Sequence, residues 1–128
     1  MKKADEICII EDNNSIRKLF CTLLQKSGHK TVDFAEGQEA LDWLNDNMPK
    51  ALIIDIMLPD LNGADIKSAV RNFPDGENVP IIAVTGFAKS SDREKYIDMG
   101  FDAYIPKPIN TSKFAKEINE VIEIKNKN

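Results

Sequence analysis

The sequence predicts an α/β domain in which a parallel sheet is covered by helices on both faces, and three observations carry that prediction. Short, wholly apolar runs recur at residues 7–10, 51–54 and 80–84, each bounded by acidic or turn residues. Runs of that kind suit strands buried on both faces. Stretches with apolar residues at helical spacing lie between them, and the chain, at 128 residues, has the usual size of one domain.

In chain order, residues 7–10 form the first strand, and Ile16, Leu19, Phe20, Leu23 and Leu24 mark the apolar face of the first helix. Gly28 follows where a left-handed cap is wanted. Residues 31–34 and 38–45 supply a strand and a helix with weaker signals, and residues 51–54 the third strand. Ile66, Ala69, Val70 and Phe73 mark the third helix, and residues 80–84 the fourth strand. Ser91 and Glu94 have capping-box spacing at the start of a helix over 92–99, and Gly100 ends it. A strand over 103–105 and a helix marked by Phe114, Ile118, Val121 and Ile122 complete the chain. Five strands alternating with five helices imply a doubly wound sheet, expected in the flavodoxin-like order 2-1-3-4-5. The expectation is one domain over 1–128 with an ordered core of about 5–124, and a frayed tail from Lys125.

The formal net charge of -4 argues against general affinity for nucleic acid or anionic membrane. The amino terminus has no apolar signal-peptide core, so a cytoplasmic protein is expected. Cys8 and Cys21 lack the spacing of a zinc pair and read as reduced thiols. His29, the single histidine, sits in a turn and reads as a surface side chain. Trp43 lies beside Leu41 and Leu44, where packing explains it, remote from any metal.

In an open sheet of this class, functional groups gather beyond the carboxyl ends of the strands. Glu11 and Asp12 follow the first strand, Asp55 ends the third, Thr85 ends the fourth and Lys107 follows the fifth. Three carboxylates, a hydroxyl and an ammonium at one edge repel unless a hard cation compensates, and magnesium prefers oxygen ligands of this kind. Phosphoryl transfer needs an in-line nucleophile, a metal and a donor for developing charge, and these residue types supply all three. In that scheme Asp55 is the nucleophile, Asp12 binds Mg2+ directly, and Glu11 does so directly or through water. Lys107 and Thr85 hold phosphoryl oxygens.

These residues, in this order, resemble the receiver domain of two-component response regulators over essentially the whole chain. The match rests on Glu11-Asp12 after an apolar strand and on Asp55 within Leu52-Ile53-Ile54-Asp55-Ile56-Met57-Leu58-Pro59. Gly63, Thr85-Gly86 and Lys107-Pro108 complete it. The resemblance implies a switch rather than an enzyme, phosphorylated by a phosphohistidine on a sensor histidine kinase or a histidine phosphotransfer protein. It further implies that the Met57 carbonyl completes the magnesium shell, that the bond before Pro108 is cis, and that Thr85 and Tyr104 move together. Output would pass to a protein partner through the fourth helix, fifth strand and fifth helix, and a phosphorylation-dependent dimer is left open. Met57, Gly86 and Phe87 would flank the phosphosite, the two bulky residues restricting hydrolytic water.

Three other functions fit less well. An aspartyl-phosphate phosphohydrolase normally carries a second acid two residues beyond its nucleophile, where this chain has Met57. A flavodoxin-like electron carrier needs a phosphate-wrapping first loop, and Glu11-Asp12-Asn13-Asn14 would repel one. An unphosphorylated interaction module would not need all the reacting groups.

Overall fold

Residues 2–86 and 92–127 of the chain are described by the computed structural model. Five strands form one parallel sheet: β1 (Glu6–Ile10), β2 (Lys30–Phe34), β3 (Ala51–Asp55), β4 (Ile81–Thr85) and β5 (Ala103–Pro106). Their spatial order is 2-1-3-4-5, so the order reverses beside β1 as the sequence predicts. The helices are α1 (Asn14–Lys26), α2 (Gly37–Leu44), α3 (Gly63–Arg71), α4 (Asp92–Asp98) and α5 (Phe114–Asn126).

The apolar runs are continuous because both faces of the central strands are covered. Along β1, Ile7 and Ile9 join Phe20, Leu24, Phe114 and Ile118 from α1 and α5. Cys8 and Ile10 face the opposite way, toward Ala40, Leu44, Ile66 and Val70 from α2 and α3. The same alternation sends Ile53 and Val84 to the first layer and Leu52, Ile54 and Ala83 to the second. Fully burying each such aliphatic side chain contributes about 1.5–3 kcal/mol, so the sheet needs no alternating polar face.

Local chemistry ends the helices where the sequence suggests. Gly28 (φ 93°) and Gly100 (φ 102°) take left-handed backbone after α1 and α4. After α1, the His29 amide donates to Leu24 O and the Gly28 amide to Gln25 O, closing the last turn. Asn13 caps the start of α1, its side chain accepting from the Ile16 amide at 3.0 Å. The Ser91 and Glu94 capping box includes a residue outside the described ones.

Three features depart from the sequence reading. Lys2–Lys3 pairs in parallel with Asn47–Met48, a two-stranded ribbon too short to leave a periodic signal. His29 is half-buried rather than a surface side chain, its Nε2 2.5 Å from Asn119 Oδ1 on α5. Lys125 is not part of a frayed tail, since α5 continues to Asn126 and Lys125 Nζ lies 2.8 Å from Asp102 Oδ1.

That last contact belongs to a polar clamp at the amino ends of β4 and β5. Arg71 places Nη2 2.9 Å from Asp102 Oδ2 and also donates to the carbonyls of Gly76, Val79 and Gly100. The Ile81 amide donates to the same Asp102 oxygen at 2.8 Å. One carboxylate thus joins α3, α5 and the starts of two strands. Trp43 packs 6.1 Å from the Phe34 ring, and its carbonyl accepts from Asn47 in the short ribbon. It stands near the C-terminal end of α2, away from the end of that helix that faces the β3–α3 loop.

Candidate functional site

The parallel strands deliver their last residues to one edge, where the sequence-predicted polar groups meet. Asp55 ends β3 and Thr85 ends β4, at 5% and 1% exposure. Glu11 follows β1 and is 1% exposed, whereas its neighbour Asp12 is open to solvent. Oxygens from Glu11, Asp12 and Asp55 all lie within 4.8 Å of one another. Lys107 follows β5, held there by its amide donating to Thr85 O at 2.9 Å, and its bond to Pro108 is cis. Its ammonium lies 2.5 Å from Glu11 Oε1 and 3.3 Å from Asp55 Oδ2.

Backbone donors orient the two buried carboxylates. The Met57 amide donates to Asp55 Oδ1 at 3.0 Å, and the Asn13 amide to Glu11 Oε2 at 3.2 Å. Gly63 lets α3 begin against the end of β3: a Cβ there would meet Asp55 O at 2.8 Å and Ile56 Cα at 2.9 Å. Gly86 is different, since among the described residues the nearest atom to a Cβ there is Lys107 Cδ at 4.0 Å. A cleft of about 370 Å³ adjoins the acidic group, with Asp12, Ile56, Met57 and Asn62 among its walls.

The electrostatics are unbalanced. Burial pushes the Glu11 carboxyl up to about 7, and nearby Asp55 adds to that rise, while Lys107 and the Asn13 amide oppose it. For Lys107, burial works against the charge, but Glu11 and Asp55 together outweigh it and raise the ammonium above its usual range. Two unit charges about 4 Å apart interact by roughly 4 kcal/mol at an effective dielectric near 20, so three clustered carboxylates with one ammonium against two of them leave a deficit of positive charge. An oxygen-only donor set with that deficit, two of its three carboxylates buried, fits a hard divalent cation.

The other sequence-predicted residues are distributed as follows. Tyr104, in β5, stacks on Tyr96 of α4 with ring centroids 5.2 Å apart, and Tyr96 meets Phe101 edge-on. The Met57 side chain is 58% exposed. Phe87 lies outside the described residues. Two supporting residues escaped the sequence reading. Asp60, in the loop after β3, accepts from the amides of Gly37 and Gln38 at 2.9 Å, which holds its carboxyl below the usual range and caps α2 from another element. Arg17, one turn into α1, donates from Nη1 to Glu11 O at 2.9 Å. Nothing local in the sequence tells which chain segment Asp60 or Arg17 will meet.

Strands that end in three carboxylates and a lysine, on a doubly wound sheet of this order, define a receiver-type domain. Residues 7–119 match the family model of the response regulator receiver domain, and the chain belongs to that family, within two-component signalling. The polar-differentiation response regulator DivK of Brucella anthropi is 34% identical over 116 residues, covering 91% of this chain and 94% of its own. A CheY-like receiver domain protein from Methanospirillum hungatei superposes with a TM-score of 0.84 at 25% identity, covering 99% of this chain and 98% of its own. The receiver domain of the sensor histidine kinase PA1611 from Pseudomonas aeruginosa, solved with magnesium in its active-site cleft, is 28% identical with a TM-score of 0.82. That match covers 94% of this chain and 98% of the other.

Proposed function

We propose that this chain is a phosphorelay switch that accepts a phosphoryl group onto Asp55 from a phosphohistidine donor in a magnesium-dependent reaction. The convergence of three carboxylate oxygens within 4.8 Å, with Lys107 against two of them, is the observation that carries this reading. Asp12, Asp55 and the Met57 carbonyl would hold Mg2+, with Glu11 directly or through water. When bound, the ion supplies the missing positive charge on the phosphoryl oxygens.

The protein's own part is placement. One Asp55 carboxylate oxygen attacks phosphorus in line with the phosphorus–nitrogen bond of the donor. That bond breaks, and its electron pair returns to the donor imidazole. The Met57 amide steadies the Asp55 carboxylate through Oδ1. Lys107, at 3.3 Å from Asp55 Oδ2, is close enough to follow an oxygen of the transferred group. Thr85, at the end of the adjacent strand, would donate its hydroxyl to another. Pulling Thr85 toward phosphate makes room for Tyr104 to leave its stack on Tyr96, which changes the α4–β5–α5 surface offered to a protein partner. Exposed Met57 would shield the acyl phosphate from water, as would Phe87. No helix among the described residues is long and apolar enough to cross a membrane, and the reading places the protein in the cytoplasm, with a kinase or phosphotransfer protein upstream.

Intact mass spectrometry after acetyl phosphate treatment tests the reading. Wild type should gain one phosphoryl group only with magnesium, and Asp55→Asn should gain none. An equal adduct on Asp55→Asn, or none on folded wild type, would contradict it.

A further inference from the structure

We propose that Arg17 is a positioning residue for the cation site, fixing the main chain of the Glu11-Asp12 turn so that Asp12 is presented to the ion. This rests on the metal-binding reading above and adds a residue to it.

Among the described residues, no hydrogen bond or ion pair holds the Asp12 carboxylate, and Asp12 is exposed. Its place therefore depends on the backbone that carries it. That backbone is braced by one guanidinium with three different partners. Arg17 Nη1 donates to Glu11 O at 2.9 Å, Nη2 to Asn14 Oδ1 at 2.7 Å, and Nε to Asp33 Oδ2 at 2.9 Å. Glu11 and Asn14 flank Asp12 on either side, and Asp33 belongs to β2, the neighbouring strand. The fork thus closes a ring from β1, through the turn and α1, to β2. The Arg17 side chain is 17% exposed and its bond to Glu11 O is partly buried, while the Asn14 and Asp33 partners are more open to water. Asn13 supports the same turn, its side chain capping α1 and its amide holding Glu11.

Electrostatics and placement predict opposite signs. Arg17 is a cation close to a cation site, so charge alone says that removing it strengthens magnesium binding. Placement says that removing it weakens binding, because a freed turn must be ordered when the ion arrives. Lysine keeps the charge but not the planar three-way fork, so it cannot restore the bracing.

The test is a magnesium titration followed by backbone amide NMR, on wild type, Arg17→Ala, Arg17→Lys and, as a control at the other end of the sheet, Arg71→Lys. The expected result is about a tenfold loss of magnesium affinity for both Arg17 variants, with Arg71→Lys less stable but unchanged in affinity. Equal or tighter binding by Arg17→Ala would overturn the proposal, as would full recovery in Arg17→Lys or an equal loss in Arg71→Lys. If Arg17→Ala does not fold, Arg17→Lys decides alone. Wild type that gives no saturable response to magnesium would overturn the underlying site reading, a result distinct from unchanged variants of a chain that binds.

Discussion

At the carboxyl ends of the strands three carboxylates cluster with one lysine, which pairs with two of them, whereas at the opposite end one carboxylate is shared by two cations. Apart from Asp12, which is exposed, both groups are largely withdrawn from water, yet they are satisfied to different degrees. Asp102 has Arg71, Lys125 and the Ile81 amide, and Arg71 also saturates itself on nearby carbonyls. Glu11 and Asp55 compete for Lys107, and burial pushes Glu11 toward its neutral form. The clamp is complete as it stands. The acidic end is complete only with added positive charge, and that difference separates a structural network from a functional one.

Breaking the clamp should have the largest effect on stability. Asp102→Ala leaves Lys125 and the Ile81 amide without that partner and Arg71 with only carbonyls, and should cost about 3 kcal/mol in urea unfolding. A loss below 1 kcal/mol would mean that the two ends are not so different after all.

The two glycines beside the site sharpen the comparison further. Gly63→Ala forces a methyl to within 3 Å of the β3 backbone and should cost about 2 kcal/mol, with slower phosphorylation because Asp55 shifts. Gly86→Ala meets nothing closer than 4.0 Å among the described residues and should change stability by less than about 0.5 kcal/mol. Urea midpoints and the rate of adduct formation check both.

At the acidic end, removing a carboxylate should help the unliganded fold. Asp55→Asn relieves repulsion of Glu11 and keeps an acceptor for the Met57 amide, so it should stabilise the domain by about 1 kcal/mol while ending phosphorylation.

How much of this was legible in the sequence depends on the range of each relation. Asp55, Thr85 and the Glu11-Asp12 pair were visible because each terminates or follows a strand whose apolar run is a local pattern, and a parallel sheet sends all such ends to one edge. The alternation of elements implied a parallel sheet covered on both faces, and the order 2-1-3-4-5 was that of the flavodoxin-like fold class rather than of any local pattern. The partners were not visible. Nothing near Asp102 announces Arg71 or Lys125, nothing near Asp60 announces α2, and the pairing of Lys2–Lys3 with Asn47–Met48 rests on two residues a side. His29 looked like a surface residue because it lies in the short connection between α1 and β2, and its contact with Asn119 of α5 is remote in sequence.

The pH dependence separates the ends by a smaller effect. Glu11 binds its proton more tightly folded than unfolded, its carboxyl rising from 4.5 to about 7. The folded state then holds the extra proton between those values, so this group makes the unliganded domain lose stability as pH rises through that window, and the penalty is complete above about 7. Urea unfolding from pH 5 to 8 should show the decline in wild type and a shallower one in Glu11→Gln. Identical slopes would contradict the assignment.

Magnesium and stability, measured together at pH 8, test the central claim most directly. If the carboxyl ends of the strands are short of positive charge by design of the fold, the ion at a hundredfold excess over its Kd should stabilise wild type by about 2.7 kcal/mol and Asp55→Asn by clearly less. An unfolding curve for wild type that does not move with magnesium would contradict it.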